Sequence, residues 1–174
     1  IKANIETDQY ESYLAIVPGT FLADIYKKYS SALLESNVRS FLKFNGSVNK
    51  GIRGTILNEK SRFFTYNNGI STTARSVTVV SDPVIGNMIT EFNDLQIING
   101  GQTTAVIFNS RNNRANVNGA NVVNLTGVYV QVKLIISDEI EKISGNIALS
   151  SNFQNKVSYS DFSVGNSFNI EFER

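Results

Sequence analysis

Two adjacent glycines separate a short apolar run from a helix-like segment in the middle of the chain. Residues 95–98 read as a strand, Asn99-Gly100-Gly101 follows at once, and residues 105–108 read as a short apolar helix. Consecutive glycines let backbone amides approach a ligand without a Cβ in the way, and a helix N-terminus adds a partial positive charge. The pattern predicts a strand-to-helix junction over residues 99–104 that is either an anion cradle or a plain tight turn.

Helical periodicity is clearest in two segments of the N-terminal half. Apolar residues recur at helical spacing over residues 20–34, directly after the breaker Pro18-Gly19, and predict an amphipathic helix with Thr20 as its N-cap. Residues 48–56 carry an apolar side chain every four positions. They predict a second helix, which two internal glycines weaken.

Strand and turn patterns follow these helices. Residues 63–66 and 70–73 flank Asn67-Asn68-Gly69 and read as strand, tight turn and strand, because Asn-Gly supplies the positive φ of a short connection. Residues 77–80 and 88–92 flank a second turn-rich stretch and read as a further pair of strands. The middle of the chain therefore predicts hairpins.

The last third of the chain completes the predicted architecture. Residues 109–124 are rich in Asn and read as a loop, and residues 128–136 alternate apolar and polar side chains, as a strand buried on one face does. A capping pair near residue 138 predicts a helix that runs to about residue 150. Interleaved helices, strands and hairpins predict an α/β fold, with α+β as the alternative, in which helices pack on a mixed sheet. We expect one domain over residues 1–174.

The absence of two residue types excludes much chemistry. The chain has no His and no Cys. Ser-His-Asp and Cys-His nucleophiles, thiol redox centres and the usual zinc ligand sets are therefore excluded from these 174 residues. The carboxylates near residues 91–94 and 138–141 read as strand-end and helix-cap residues, so we expect no metal site. A net charge of +1 argues against a broad basic surface for duplex DNA.

Targeting patterns are also missing. No run of 18 apolar residues and no export signal is present, so we expect a cytoplasmic protein without a membrane partner. The chain begins with Ile1, and its last residues stop within an apolar-polar alternation. We therefore expect a segment of a longer protein, whose oligomeric state the sequence does not give.

Three further polar motifs have both a functional and an ordinary reading. Arg39 offers a planar donor fork to a phosphate or carboxylate, or else forms a surface ion pair. The turn at residues 66–69 presents amides to a ligand, or simply closes a hairpin. The amide side chains of residues 151–156 either form hydrogen bonds to a nucleotide base or form ordinary turns.

Five polar boxes occur in order along the chain. They are residues 37–42 (NVRSFL), 48–52 (VNKGI), 64–70 (FTYNNGI), 97–103 (IINGGQT) and 151–155 (SNFQN). In this order and spacing, across about residues 14–165, they resemble the AIPR family, the abortive infection phage resistance proteins. The resemblance implies a role in bacterial defence against phage, exerted by a longer protein that meets a phage-derived trigger or a nucleic acid.

A second resemblance concerns the junction. A strand, Gly100-Gly101-Gln102-Thr103, a helix and a later amide box are similar to the ParB and sulfiredoxin superfamily, whose members bind nucleoside triphosphates. This resemblance implies a ParB/sulfiredoxin-like arrangement in which the junction lines the phosphates and Asn152 and Gln154 close over the nucleotide. The chain departs from that pattern in having Thr103 for the loop arginine, Gly101 for the reactive cysteine and Asn155 for an arginine of the second box.

The leading hypothesis from the sequence is a nucleotide- or phosphate-binding module of a phage-defence protein. The ligand would be a nucleoside triphosphate with Mg²⁺, and any NTPase-like phosphoryl transfer would depend on positioning, with no catalytic side chain assigned. The predicted phosphate-binding residues are Arg39, Asn99, Gly100, Gly101, Gln102, Thr103 and Thr104. The predicted polar wall around them is Asn37, Asn49, Lys50, Asn67, Asn68, Gly69, Asn152, Gln154 and Asn155.

Two alternatives stay open. In the first, the module senses nucleic acid: the amide wall reads an unpaired base and Phe64 or Tyr66 stacks on it, although strand alternation predicts that at least half of the rings near residues 62–66 lie in the core. In the second, the module is structural, the polar boxes form turns and buried networks, and the effector chemistry lies outside residues 1–174.

Overall fold

A computed structural model describes residues 1–3, 9–34, 47–112, 123–140, 142, 145–147 and 150. Within them the helices are α1 (Gly19–Tyr29), α2 (Ser47–Asn58), α3 (Phe63–Tyr66) and α4 (Gly101–Asn112), with 3-10 turns at Ser30–Leu33 and Lys60–Arg62. The strands are β1 (Glu11–Pro18), β2 (Ile70–Ala74), β3 (Ser76–Asp82), β4 (Gly86–Asn93), β5 (Gln96–Asn99) and β6 (Tyr129–Ile136). The predicted combination of interleaved helices and strands is confirmed.

Four strands form a mixed sheet in the order β1-β6-β2-β5. β6 lies antiparallel to β1 and parallel to β2, and β2 lies antiparallel to β5. The register pairs Pro18 with Tyr129 and Ser71 with Asn99, so β1 and β5 end where β6 and β2 begin. Because α1 follows β1 directly and α4 follows β5 after one residue, both helices begin at the same end of the sheet. β3 and β4 form a separate antiparallel hairpin.

The main core lies between one face of this sheet and the helices. Leu22 of α1, Ile56 of α2 and Ile107 of α4 belong to one buried cluster with Val130 and Leu134 of β6. The predicted alternation in β6 is confirmed, since residues 130, 132 and 134 are buried while residues 129, 131 and 133 are exposed. The period-two pattern therefore fixes which face of β6 the helices cover.

Two ring contacts attach α1 to its neighbours. Phe21 packs against Phe92 of the β3–β4 hairpin with ring centroids 6.2 Å apart. Tyr26 packs against Phe108 of α4 with centroids 5.1 Å apart. Desolvation in this packing raises the pKa of the Tyr26 hydroxyl. α1 thus holds both the hairpin and the helix that follows the Gly-Gly junction.

Most predicted elements are present, with shifted ends. The helix predicted over residues 20–34 is α1 followed by a 3-10 turn, and its N-cap is Pro18, not Thr20, with no side-chain cap bond. The second predicted helix is α2. The strand pairs at 77–80 and 88–92 are confirmed as β3 and β4. Residues 109–112, predicted as the start of a loop, belong to α4, and residues 113–122 of that predicted loop lie outside the described residues.

The prediction of a strand over residues 63–66 is wrong. These residues form one helical turn, in which the Asn67 N–H donates to the Phe63 carbonyl at 3.0 Å and the Thr65 hydroxyl donates to the Arg62 carbonyl at 2.9 Å. Only Phe63 is buried, at 1% exposure, whereas Phe64 and Tyr66 are exposed. Burial of a single ring decides the local structure against the β propensity of the FFTY sequence.

Candidate functional site

The junction between β5 and α4 has the strand-turn-helix form predicted from its glycines. β5 ends at Asn99, Gly100 has a φ of +89°, and α4 begins at Gly101. The Thr104 N–H donates to the Gly100 carbonyl at 3.1 Å, and the Thr104 hydroxyl donates to the same oxygen at 3.2 Å. The backbone N–H groups of residues 101–103 precede this first helical bond, so they belong to the helix end that carries partial positive charge.

Glycine is required at position 100 for two reasons. A φ of +89° lies in the region that L side chains rarely adopt. A Cβ at this position would also lie 2.5 Å from Ile70 Cγ2 and 3.0 Å from the Gly69 carbonyl oxygen. Ile70 is 4% exposed and belongs to the main core. The junction therefore packs directly on the beginning of β2.

A polar bridge joins the junction to the turn before β2. The Gly69 N–H donates to Asn67 Oδ1 at 2.9 Å, which closes an Asx turn. The other side of the same amide reaches the junction, where Asn67 Nδ2 donates to Thr103 Oγ1 at 3.4 Å, across 36 positions of sequence. The structure thus brings together two of the polar boxes that the sequence singled out.

Burial divides the predicted phosphate-binding residues into two groups. Gly101, Thr103 and Thr104 are buried, with Thr104 at 0% and Thr103 at 7% exposure. Asn99, Gly100 and Gln102 are partly exposed, as are Asn67 and Gly69 of the turn, and Asn68 is exposed. Asn99 and Gln102 are each engaged in a further interaction. The groups that a ligand meets first are therefore neutral amides and backbone.

The remaining predicted wall residues are distributed more widely. Asn49 is buried and Lys50 is exposed on α2, a helix that packs against α4. Arg39 and Asn37 of the first box, and Asn152, Gln154 and Asn155 of the last box, lie outside the described residues. Their predicted roles remain predictions.

The local electrostatics come from backbone dipoles. The segments 67–69 and 99–104 contain no ionisable side chain. Next to the turn, Arg62 Nη1 donates at 3.0 Å to both Glu59 Oε2 and Tyr66 Oη. The hydrogen bond to Tyr66, followed by the charge interactions with Tyr66 and Glu59, raises the pKa of Arg62. The Arg62 guanidinium is already bonded to Glu59 and Tyr66. Since the junction segments have no charged side chain of their own, their positive potential comes from the N-terminal end of α4.

The described part of the chain also contains a cavity away from the junction. A shallow cavity of about 280 Å³ lies on the β3–β4 hairpin, lined by Ser76, Val77, Thr78, Glu91, Phe92 and Asn93. It shares no residue with the junction. Within the described residues, no three Asp or Glu side chains are grouped so that they could hold a metal ion. None of the described helices combines the length and the hydropathy that a transmembrane helix needs.

The sequence named Phe64 and Tyr66 as stacking residues only in the nucleic-acid alternative, and it placed them on a strand. Tyr66 is 58% exposed and Phe64 is 39% exposed, because α3 is a helical turn and not a strand. Spacing could have indicated this arrangement, since a single helical turn anchored by Phe63 leaves residues 64 and 66 on its flanks.

Comparison with known families gives one match. The family profile described as AIPR protein matches residues 34–174, which is most of the chain and includes all five polar boxes. Searches of curated proteins and of solved structures gave no match. The ParB/sulfiredoxin-like arrangement therefore remains a prediction. The chain belongs to the AIPR family, and this membership supports a role in abortive infection, the resistance of bacteria to phage.

Proposed function

We propose that this AIPR segment binds a nucleotide or inorganic phosphate at the β5–α4 junction, residues 99–104. The observation that carries the proposal is the fixed first turn of α4. Gly100 has a φ of +89° and packs on Ile70, and the neighbouring Asn67 is bonded to Thr103, so the N–H groups of residues 101–103 have a defined direction. Fixed backbone donors at the positive end of a helix are the usual way in which a protein binds phosphate without a lysine.

The roles of the individual groups follow from their exposure. The amides of residues 101–103 would donate to phosphate oxygens, and the partly exposed Gln102 together with the exposed Asn68 would add neutral hydrogen bonds. A triphosphate would need further positive charge from Lys50 or Arg39, as the ParB-like resemblance implies. Asn152 and Gln154 would then close over the base.

Chemistry beyond binding would rest on positioning. A nucleoside triphosphate would bring Mg²⁺, which neutralises charge on the phosphates. The residues of this chain would bind and orient the phosphates, because residues 99–104 contain no Asp, Glu, Lys, His or Cys and the hydroxyl-bearing Thr103 and Thr104 are buried. The full protein would act in the cytoplasm, where the phage-derived trigger is met.

The test is thermal unfolding of the chain with ATP, CTP, GTP, UTP or inorganic phosphate, each with and without Mg²⁺. A ligand at about 100 times its Kd stabilises the folded state by roughly 2.7 kcal/mol, which raises the Tm by several degrees for a domain of this size. The informative variant is Gln102→Glu. Its carboxylate would repel a phosphate, yet a negative charge in the first helical turn stabilises the free helix by about 0.3–1 kcal/mol.

A matched control lies in the same helix. Asn109→Asp adds the same charge about 10 Å along the axis from residue 102, near the negative end of α4. We expect Gln102→Glu to abolish the ligand-induced rise in Tm and Asn109→Asp to retain it at a lower basal Tm. A rise that survives in Gln102→Glu contradicts the proposed site.

The second candidate function is structural support for effector chemistry elsewhere in the protein. Its specific observation is the bond between Asn67 Nδ2 and Thr103 Oγ1, together with the packing of Gly100 on Ile70. In this case the polar boxes lock two turns together. No ligand would then change the Tm of the wild type. The Asn67→Ala variant would have a lower Tm than the wild type, with or without any of the ligands.

A further inference from the structure

The stretch from α2 to α3 combines positive charge with exposed aromatic rings. Four of the five charged residues between positions 47 and 66 are basic, which gives this stretch a net charge of +3, whereas the whole chain carries +1. The basic residues are Lys50, Arg53, Lys60 and Arg62. We call these four residues, together with Phe64 and Tyr66, the basic-aromatic surface.

The charged side chains of α2 share one stripe of the helix. Lys50, Arg53 and Leu57 follow at intervals of three and four positions, and Lys50 and Leu57 are exposed. Asn49 and Ile56, each about 100° around the axis from Lys50 and Leu57 respectively, are both buried. α2 contains no acidic residue, so the charges on this stripe, those of Lys50 and Arg53, are both positive.

The aromatic part is held out from the core by α3. Phe63 is buried at 1% exposure and anchors the turn, so Phe64 and Tyr66 lie on its two flanks, about 200° apart around the helix axis. The Arg62 guanidinium donates to Tyr66 Oη at 3.0 Å, while 62% of its side chain stays accessible. Tyr66 and Arg62 thus form one platform with an aromatic face and an accessible guanidinium, which is also paired with Glu59 at 3.0 Å, and Phe64 forms a second platform.

We propose that the basic-aromatic surface binds single-stranded nucleic acid. Exposed rings offer stacking to bases of any sequence, and Lys and Arg side chains attract the phosphate backbone. Two rings on opposite flanks fit a flexible strand that passes over α3 better than one mononucleotide. Duplex bases are already stacked on each other, so they gain nothing from these rings. This inference does not depend on phosphate binding at the junction.

The test is fluorescence anisotropy of the chain with end-labelled 12-nucleotide strands of oligo-dT and oligo-rA and with a 12-base-pair duplex, from 50 to 200 mM salt. We expect the single strands to bind more tightly than the duplex and their affinity to fall with salt. Tyr66→Ala should lower single-strand affinity about tenfold, in line with the loss of one stacked base. Arg62→Gln should weaken binding and flatten the salt dependence.

Matched variants separate stacking from folding. Tyr129→Ala removes a ring of similar exposure, 48%, from β6 and should leave binding unchanged. Tyr66→Phe removes only the hydroxyl bonded to Arg62 and should restore most of the affinity that Tyr66→Ala loses. Circular dichroism and Tm would verify that each variant is folded.

Several results would overturn the proposal. They are equal binding of duplex and single strands, equal effects of the Tyr66 and Tyr129 substitutions, or no binding of any strand by the wild type. The outcome is independent of the junction, because Gln102→Glu should leave strand binding by Tyr66 largely intact while it removes the nucleotide-induced rise in Tm.

Discussion

The β5–α4 junction and the β3–β4 hairpin contain the same local turn chemistry in different surroundings. Gly100 at the junction has a φ of +89° and Gly86 in the hairpin has a φ of +82°. A Cβ on Gly100 would lie 2.5 Å from Ile70 Cγ2, whereas a Cβ on Gly86 would have nothing within 4 Å. Both positions need the conformational freedom of glycine, but only the junction also needs its small size.

The Asx turns of the two regions differ in the same way. Asn67 Oδ1 accepts the Gly69 N–H, and Asp82 Oδ1 accepts the N–H groups of Val84 and Ile85 at 2.8 and 2.9 Å. Asn67 also bonds Thr103 across the fold. At the hairpin tip, Val84 is 88% exposed. We therefore expect these similar turns to contribute unequally to stability, because Asn67 is bonded to buried Thr103 whereas the hairpin tip is exposed.

The largest expected effect is that of Gly100→Ala. The left-handed conformation costs about 1 kcal/mol in an alanine, and displacement of buried Ile70 adds about 1–3 kcal/mol. We expect a loss of roughly 2–4 kcal/mol in the free energy of unfolding, or on the order of 10 °C in Tm. Gly86→Ala is the control and should cost only about 1 kcal/mol. Equal losses from the two substitutions would break the comparison.

A smaller effect is expected from loss of the polar bridge. Asn67→Ala removes the acceptor of the Gly69 N–H and the donor to buried Thr103, and should cost about 1–3 kcal/mol. Asp82→Ala removes two exposed bonds and should cost less. Urea unfolding gives both values. A double-mutant cycle with Thr103→Ala should give a coupling energy of about 0.5–1.5 kcal/mol. A coupling energy near zero would mean that the bond between Asn67 and Thr103 does not contribute to stability.

The smallest effect is a pH dependence confined to the hairpin. The backbone N–H groups of Ile85 and Val84 lower the pKa of Asp82. The ionised carboxylate therefore stabilises the fold above its ordinary pKa, and this contribution is lost as the pH falls through the lowered pKa. Between pH 5 and about pH 2, stability should fall slightly more in the wild type than in Asp82→Asn, which keeps an acceptor but does not titrate. If the stabilities of the wild type and Asp82→Asn change equally with pH, the ionised Asp82 carboxylate does not stabilise the hairpin.

Much of the local structure followed from sequence periodicity. The apolar spacing over residues 20–34 and 48–56 gave α1 and α2, and the alternation over residues 128–136 gave β6. β1 had no such periodicity, because residues 13–17 are all apolar or aromatic. A continuous short apolar run is compatible with either a strand or a buried helix, and pairing of β1 with β6 decides the matter.

Where the sequence has no clear periodicity, tertiary contacts decide the local structure. Residues 63–66 have strong β propensity, yet burial of Phe63 alone and the i to i+4 bond to Asn67 make them a helical turn. Because residues 63–66 form a helical turn, Tyr66 is exposed next to the junction. Propensity is a weak guide where a single side chain is buried, since tertiary packing outweighs differences of about 1 kcal/mol.

The sequence by itself determined the periodic elements of this protein and the chemistry that its composition excludes. The Gly-Gly junction, the periodic helices and the absence of His and Cys are all local properties of the chain. Only the tertiary structure decided that Asn67 meets Thr103, that Ile70 fills the space beside Gly100, and that β6 lies parallel to β2. Local patterns reflect the energetics of neighbouring residues, whereas these contacts join residues 30 or more positions apart and arise from the packing of one shared core.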